Sequence, residues 1–90
     1  MSLFVMTLLA TGPAGEVRAA SALHREHLKQ LAARGKLRLA LELRDGEGFV
    51  EVYEVRDRIE GEAVAQASPL VEQGLAAWIL RPCEEIVSPS

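Results

Sequence analysis

His24 and His27 stand three residues apart in a stretch of helical periodicity, so the two imidazoles project from one side of a helix about one turn apart. Imidazole titrates near neutrality, and either ring could pass a proton to or from a bound acid or phenol. The plainer alternative for both is a helix-surface or interface histidine held by a backbone carbonyl or by water. A second set of chemically able residues, Arg38, Glu42, Arg44, Glu51 and Tyr53, falls on what reads as a β-hairpin. If Glu42 and Glu51 oppose one another in a semi-enclosed space they repel, so that one keeps its proton to higher pH or an arginine intervenes. Arg38 is the better candidate for gripping an anionic substrate, because its guanidinium fork matches a carboxylate. Tyr53 could offer its hydroxyl to the same cavity, although an aromatic residue at a strand centre more often packs. The charged members of this set fit two blander readings as well, an ion network at an interface or a solvent-facing strand surface. Trp78 reads as core or interface material, and Cys83, with no second cysteine and no identifiable activating base, as incidental.

The elements that would position these groups follow from the hydrophobic pattern. Residues 3–9, LFVMTLL, are apolar on both faces and read as a central strand covered on both sides. Thr11, Gly12, Pro13 and Gly15 break that run, and from 16 to 34 Ala20, Leu23, His24, His27, Leu28 and Leu31 share one helical arc that Gly35 ends. Leu37, Leu39, Leu41 and Leu43 alternate with Arg38, Ala40, Glu42 and Arg44, a period of two that predicts a strand. A four-residue turn at 45–48 would set Leu43 against Val50, Leu41 against Val52, Glu42 against Glu51 and Ala40 against Tyr53. The leucine face is then expected under the helices, and the polar face on the wall of a wet cavity. Asp57 can cap a second helix over 58–67 with Glu60 completing a capping-box pattern, and Gly61 weakens that helix by about 1 kcal/mol. A turn near 71–73 closing at Gly74, a last strand over 75–80 and a peripheral tail from Arg81 complete the chain.

The order βαββαβ predicts a ferredoxin-like α+β fold, a four-stranded antiparallel sheet with strands one and three central and both helices on one face. Ninety residues make a single domain, with an ordered core expected over about 2–82, and such a chain buries only about 60–65% of its unfolded surface. One cysteine excludes an internal disulfide, and one cysteine with two histidines falls short of a structural metal site; no cofactor is called for. Oligomerisation is the remaining support, and the bare sheet face, carrying Phe4, Met6 and Leu8 or their alternates with Trp78 and Leu80 or theirs, is expected to pair with the sheet of a second copy in a homodimer. Ten basic against thirteen acidic residues give a net charge of −3, which argues against non-specific nucleic-acid or anionic-membrane binding. Only Phe49 and Tyr53, set among glutamates, could serve as stacking aromatics for RNA on the third strand. No stretch reaches membrane-span length, and the apolar residues 1–10 lack a basic leader region, so a cytoplasmic, soluble protein is expected.

Several pieces in order resemble the YCII-related (YciI-like) family of dimeric α+β barrels over nearly the whole chain. These are the LFV first strand, His24 eleven residues before the glycine of Gly35-Lys36-Leu37, the Asp45-Gly46 turn, Ser68-Pro69-Leu70-Val71 followed by Gly74, and Arg81-Pro82 after the last strand. The resemblance implies that His24 is the acid/base, acting on a small anionic, carboxylated and ring-like metabolite by isomerisation or elimination. Two positions depart from the family pattern: Ser68 stands where the family has an aspartate before the proline, and Leu41-Glu42 where many members have Gly-Pro. Ser68 could hold an imidazole nitrogen, but a hydroxyl does not stabilise an imidazolium as a carboxylate does. The expected site therefore groups His24 and Ser68 as catalytic with Arg38, Glu42, Glu51 and Tyr53 as substrate-binding. The alternative is a non-catalytic small-molecule-binding or accessory dimeric module that has lost the His-Asp pair.

Overall fold

The computed structural model describes residues 1–87. Its elements are β1 (Ser2–Ala10), α1 (Ala14–Ala33), β2 (Leu37–Glu42), β3 (Gly48–Val55), α2 (Arg58–Gln66), a short α3 (Pro69–Glu72) and β4 (Ala76–Cys83). The strands form one antiparallel sheet in the order β2-β3-β1-β4, so β1 and β3 are central as the sequence predicts. This is the βαββαβ ferredoxin-like arrangement, with α3 in place of the expected turn before β4.

Local signals explain the boundaries. Gly35, at φ 74°, takes the left-handed position after α1, where Lys36 N–H bonds to the Leu31 carbonyl at 2.9 Å and Gly35 N–H to that of Ala32 at 3.0 Å. Asp57 caps α2 by accepting from Glu60 N–H at 2.9 Å, while the Glu60 carboxylate accepts from Arg56 N–H, one residue earlier than in a closed capping box. Gly61 is buried, and a Cβ there would sit 3.2 Å from Leu80 Cδ2; its helix-weakening backbone is the condition for α2 lying close on the sheet. β4 continues through Arg81 and Pro82, where the sequence predicts a tail. Proline is tolerated there because β4 is an edge strand and Pro82 need donate to no neighbour beyond it. The rest of that tail reading falls partly on residues 88–90, outside the described residues.

Two expectations about the hairpin are corrected. The turn sits one residue earlier than expected, at 44–47, closed by Leu43 N–H to the Gly48 carbonyl at 2.8 Å. The pairing consequently slides by two: Leu41 faces Val50, Ala40 faces Glu51 and Glu42 faces Phe49, with an irregularity between Leu37 and Leu39. Glu42 and Glu51 are not opposite one another. A slide of two keeps every side chain on its original face, but the faces themselves are inverted relative to the helices. Phe49, Glu51, Tyr53 and Val55 lie beneath the helices with Phe4, Met6 and Leu8, all buried. Leu39 and Leu41, expected inside, are 48% and 52% exposed on the open face, which they share with the partly buried Leu3, Val5, Val50 and Val52 and with the exposed Ile79. Of the candidates for the bare face, the alternates are the ones found there; Trp78 and Leu80 pack toward the core.

Candidate functional site

The floor of the core under α1 is polar at one place. Period-two alternation along β3 sends Glu51 and Tyr53 inward between Phe49 and Val55. α1 brings His24 down on them from its buried arc, and the turn into α3 brings Ser68, which is that helix's N-cap. All four side chains are fully enclosed, at 0% exposure. His24 Nε2 lies 2.5 Å from Glu51 Oε2, Tyr53 donates its hydroxyl to Glu51 Oε1 at 2.7 Å, and Ser68 Oγ lies 2.8 Å from His24 Nδ1.

The directions at the ring follow its tautomer. Leu70 N–H donates to Ser68 Oγ at 3.2 Å, and in the tautomer protonated at Nε2 the hydroxyl hydrogen points at Nδ1. Nε2–H is then the donor to Glu51, whose two oxygens each receive a proton-bearing partner. Every member of the array is satisfied, the condition under which a polar network is tolerated inside a core. Burial, with the Glu51 charge and hydrogen bond added to it, pushes the Tyr53 phenol far up, so it remains a donor at any working pH.

Around this array the surroundings differ by side. The Phe49 ring sits 4.5 Å from the His24 ring, closing one flank with apolar surface. His27, one turn along α1, has its ring 5.8 Å from that of His24 and lines a cleft of about 440 Å³ between α1 and α2. Its Nε2 is buried without a hydrogen-bond partner among the described residues. Burial first, then the neighbouring His24, pushes the His27 imidazole below its ordinary range, against the opposing pull of Glu51 and the Val64 backbone. A second cleft of about 550 Å³ opens beside Ser21, Arg25 and Glu42 at the other side of α1. His24 lines neither cleft.

The residues singled out from the sequence are thus gathered in part. His24, Ser68, Glu51 and Tyr53 meet. Glu42 instead holds Arg25 through two hydrogen bonds of 2.9 and 2.8 Å at the surface, and that guanidinium draws the Glu42 carboxyl below its usual range. Arg38 lies on the open face, bound to Glu54 and Glu85 at 2.8 Å each, on the opposite side of the sheet from His24. Its separation follows from the β2 irregularity beside it. The partnership of Glu51 with His24 was not anticipated. The signal for it was an acidic residue at an inward position of a strand otherwise apolar on that side, which demands a buried donor.

No known family model matches the chain, and no curated protein matches it either. Among solved structures it is similar to the 5-chloro-2-hydroxyhydroquinone dehydrochlorinase TftG of Burkholderia phenoliruptrix AC1100, determined in complex with 2,5-dihydroxybenzoquinone. The two share a TM-score of 0.71 at 19% identity, over 91% of this chain and 93% of that one, a likeness that shows the fold.

Proposed function

We propose that this protein transfers protons on a small anionic, ring-like metabolite, with His24 as the acid/base, and that it belongs with the YCII-related dimeric barrels. The observation that carries the reading is the enclosed Glu51–His24 pair at 2.5 Å. Apolar residues of similar volume would fill such a space at less cost, and titratable groups enclosed together are concentrated where chemistry is done. The division of labour follows from the bonds. Nδ1 is held only by a hydroxyl, which can rotate aside to admit a substrate atom, so Nδ1 is the nitrogen that takes up or returns a proton. Glu51 keeps Nε2–H and faces the positive charge that develops on the ring. A carboxylate reaching across from β3 would in this way supply the stabilisation that the family's aspartate supplies from the position of Ser68. TftG, which shares the fold, acts on a chlorinated hydroxyhydroquinone, and this suggests hydroxylated rings as the first substrates to try.

Leu39, Leu41 and Ile79 on the open face support a homodimer in which two sheets pack together, leaving the helix-covered sites independent. A second reading, a binding or accessory module without catalysis, is favoured by one observation: both His24 nitrogens are already engaged and neither cleft beside α1 reaches them.

A panel of hydroxylated and chlorinated benzoquinones and ring carboxylates, followed by absorbance and by deuterium uptake from D2O, separates the two readings. Turnover of a panel member that His24→Asn lowers by on the order of 10²–10⁴ supports proton transfer. A rate indifferent to that substitution removes His24 as the acid/base, and binding without turnover across the panel supports the module.

A further inference from the structure

We propose that the cleft between α1 and α2 is a binding site for a small ring-bearing carboxylate, with Arg34 gripping the carboxylate and His27 Nε2 meeting a hydroxyl on the ring. The site goes beyond the reading above and does not depend on it, since binding there requires nothing of His24 as a catalyst.

Four observations converge on this cleft. Its volume of about 440 Å³ suits a ligand of one ring. Its charge runs against that of the chain: Arg34, Lys36 and Arg56 face only Asp57 and Glu60, in a protein whose net charge is −3. Of the three cations, Lys36 and Arg56 both lean on the Glu60 carboxylate, at 3.3 and 3.4 Å, and Asp57 is engaged as the α2 cap. Arg34 makes no ion pair among the described residues, so its fork is the one left open to a bidentate anion. Finally, His27 Nε2 is a buried nitrogen with an unmade hydrogen bond. Its nearest imidazole on the inner side, His24, has both nitrogens committed and can supply nothing. The Val64 backbone of α2 also acts on the ring, and on its open side the cleft can supply a partner, for which a ring hydroxyl suits because it both donates and accepts. Leu31 and Val64 within the cleft, and Ile59, 79% exposed beside them, offer the apolar surface on which a ring would lie.

The test is a titration of the isotope-labelled protein with 2-hydroxybenzoate, benzoate and inorganic phosphate, read at the His27 ring protons. Saturable shifts with 2-hydroxybenzoate are expected, weakened about tenfold by Arg34→Ala and by a smaller factor in Arg34→Lys, which keeps the charge and loses the fork. His27→Gln is expected to weaken 2-hydroxybenzoate more than benzoate, because only the former carries the hydroxyl. The titration reads binding without turnover, so that failure of the catalytic reading and failure of this site are told apart. Absence of saturation up to roughly 10 mM overturns the proposal, as does equal affinity in Arg34→Ala, or phosphate binding as tightly as the ring carboxylates. Backbone amide spectra of each variant establish that the fold is intact, and Arg34, exposed at the end of α1, is placed where substitution spares the core.

Discussion

The two faces of the sheet treat polar and apolar side chains in opposite ways. Beneath the helices, a carboxylate, an imidazole, a phenol and a hydroxyl lie fully enclosed among Met6, Leu8, Phe49 and Val55. On the other side, leucines and isoleucine stand half exposed, and the charged residues Arg38, Glu54 and Glu85 pair with one another at the edge. Polarity therefore does not decide which side is in. What decides is whether each group finds its partners, and the four polar side chains find theirs completely. The apolar residues outside have no such partner within one protomer, which is the physical ground for expecting a second copy over them.

The contrast can be broken most forcefully from the inside. Glu51→Ala strands the His24 Nε2–H and the Tyr53 hydroxyl in a closed core, and is expected to cost about 3–5 kcal/mol in urea unfolding. Replacing both partners, His24→Leu with Glu51→Leu, is expected to recover much of that loss. If Glu51→Ala costs under about 1 kcal/mol, the enclosed array is not the closed network described. On the open face, Ile79→Asp is expected to leave the protomer folded and to weaken self-association by about 2 kcal/mol or more, seen in sedimentation as a shift toward monomer. A wild-type protein that sediments as a monomer at micromolar concentration would remove the explanation of that face.

A smaller effect comes from pH. The folded His27 imidazole is held below its ordinary value of 6.5, so just below that pH the unfolded chain binds a proton that the native protein refuses. Stability from this group is full above pH 6.5 and is lost as pH falls from there through the folded value, with a slope of at most about 1.4 kcal/mol per pH unit. His27→Gln is expected to flatten that slope in denaturation curves taken between pH 5 and 8. Least of all, Arg38→Ala is expected to change stability by no more than about 0.5 kcal/mol, because its ion pairs are largely in solvent.

Much of the architecture was legible because it is written in local signals. The change of period between the first strand and α1, the glycine at 35, the leucine alternation and the Asp57 cap each act through neighbouring residues, and together they fix the element order and the central strands. Long-range choices were not legible. The alternation at 37–43 states that two faces differ, not which one the helices take, and the polar face reads as a cavity wall away from the helices because the partners of Glu51 and Glu42 lie 27 and 17 residues away. Glu51 waits on His24 of α1, and Ser68 on the same ring from 44 residues beyond it. A turn one residue earlier than expected slid the hairpin by two and dissolved the expected carboxylate pair. Arg38 is grouped with the site by the alternation along β2 and by its fork, and the irregularity beside it sends it to the far side.

Ser68 joins two structures that otherwise have separate reasons to exist. One oxygen starts α3 by receiving Leu70 N–H and also caps the imidazole at Nδ1. A molecule that claims that nitrogen must turn the hydroxyl away, and the turned hydroxyl presents its lone pairs differently to the amide behind it. Occupancy at the ring would then be linked to how firmly the first turn of α3 is fastened, with the short helix serving as a latch on what sits beneath it.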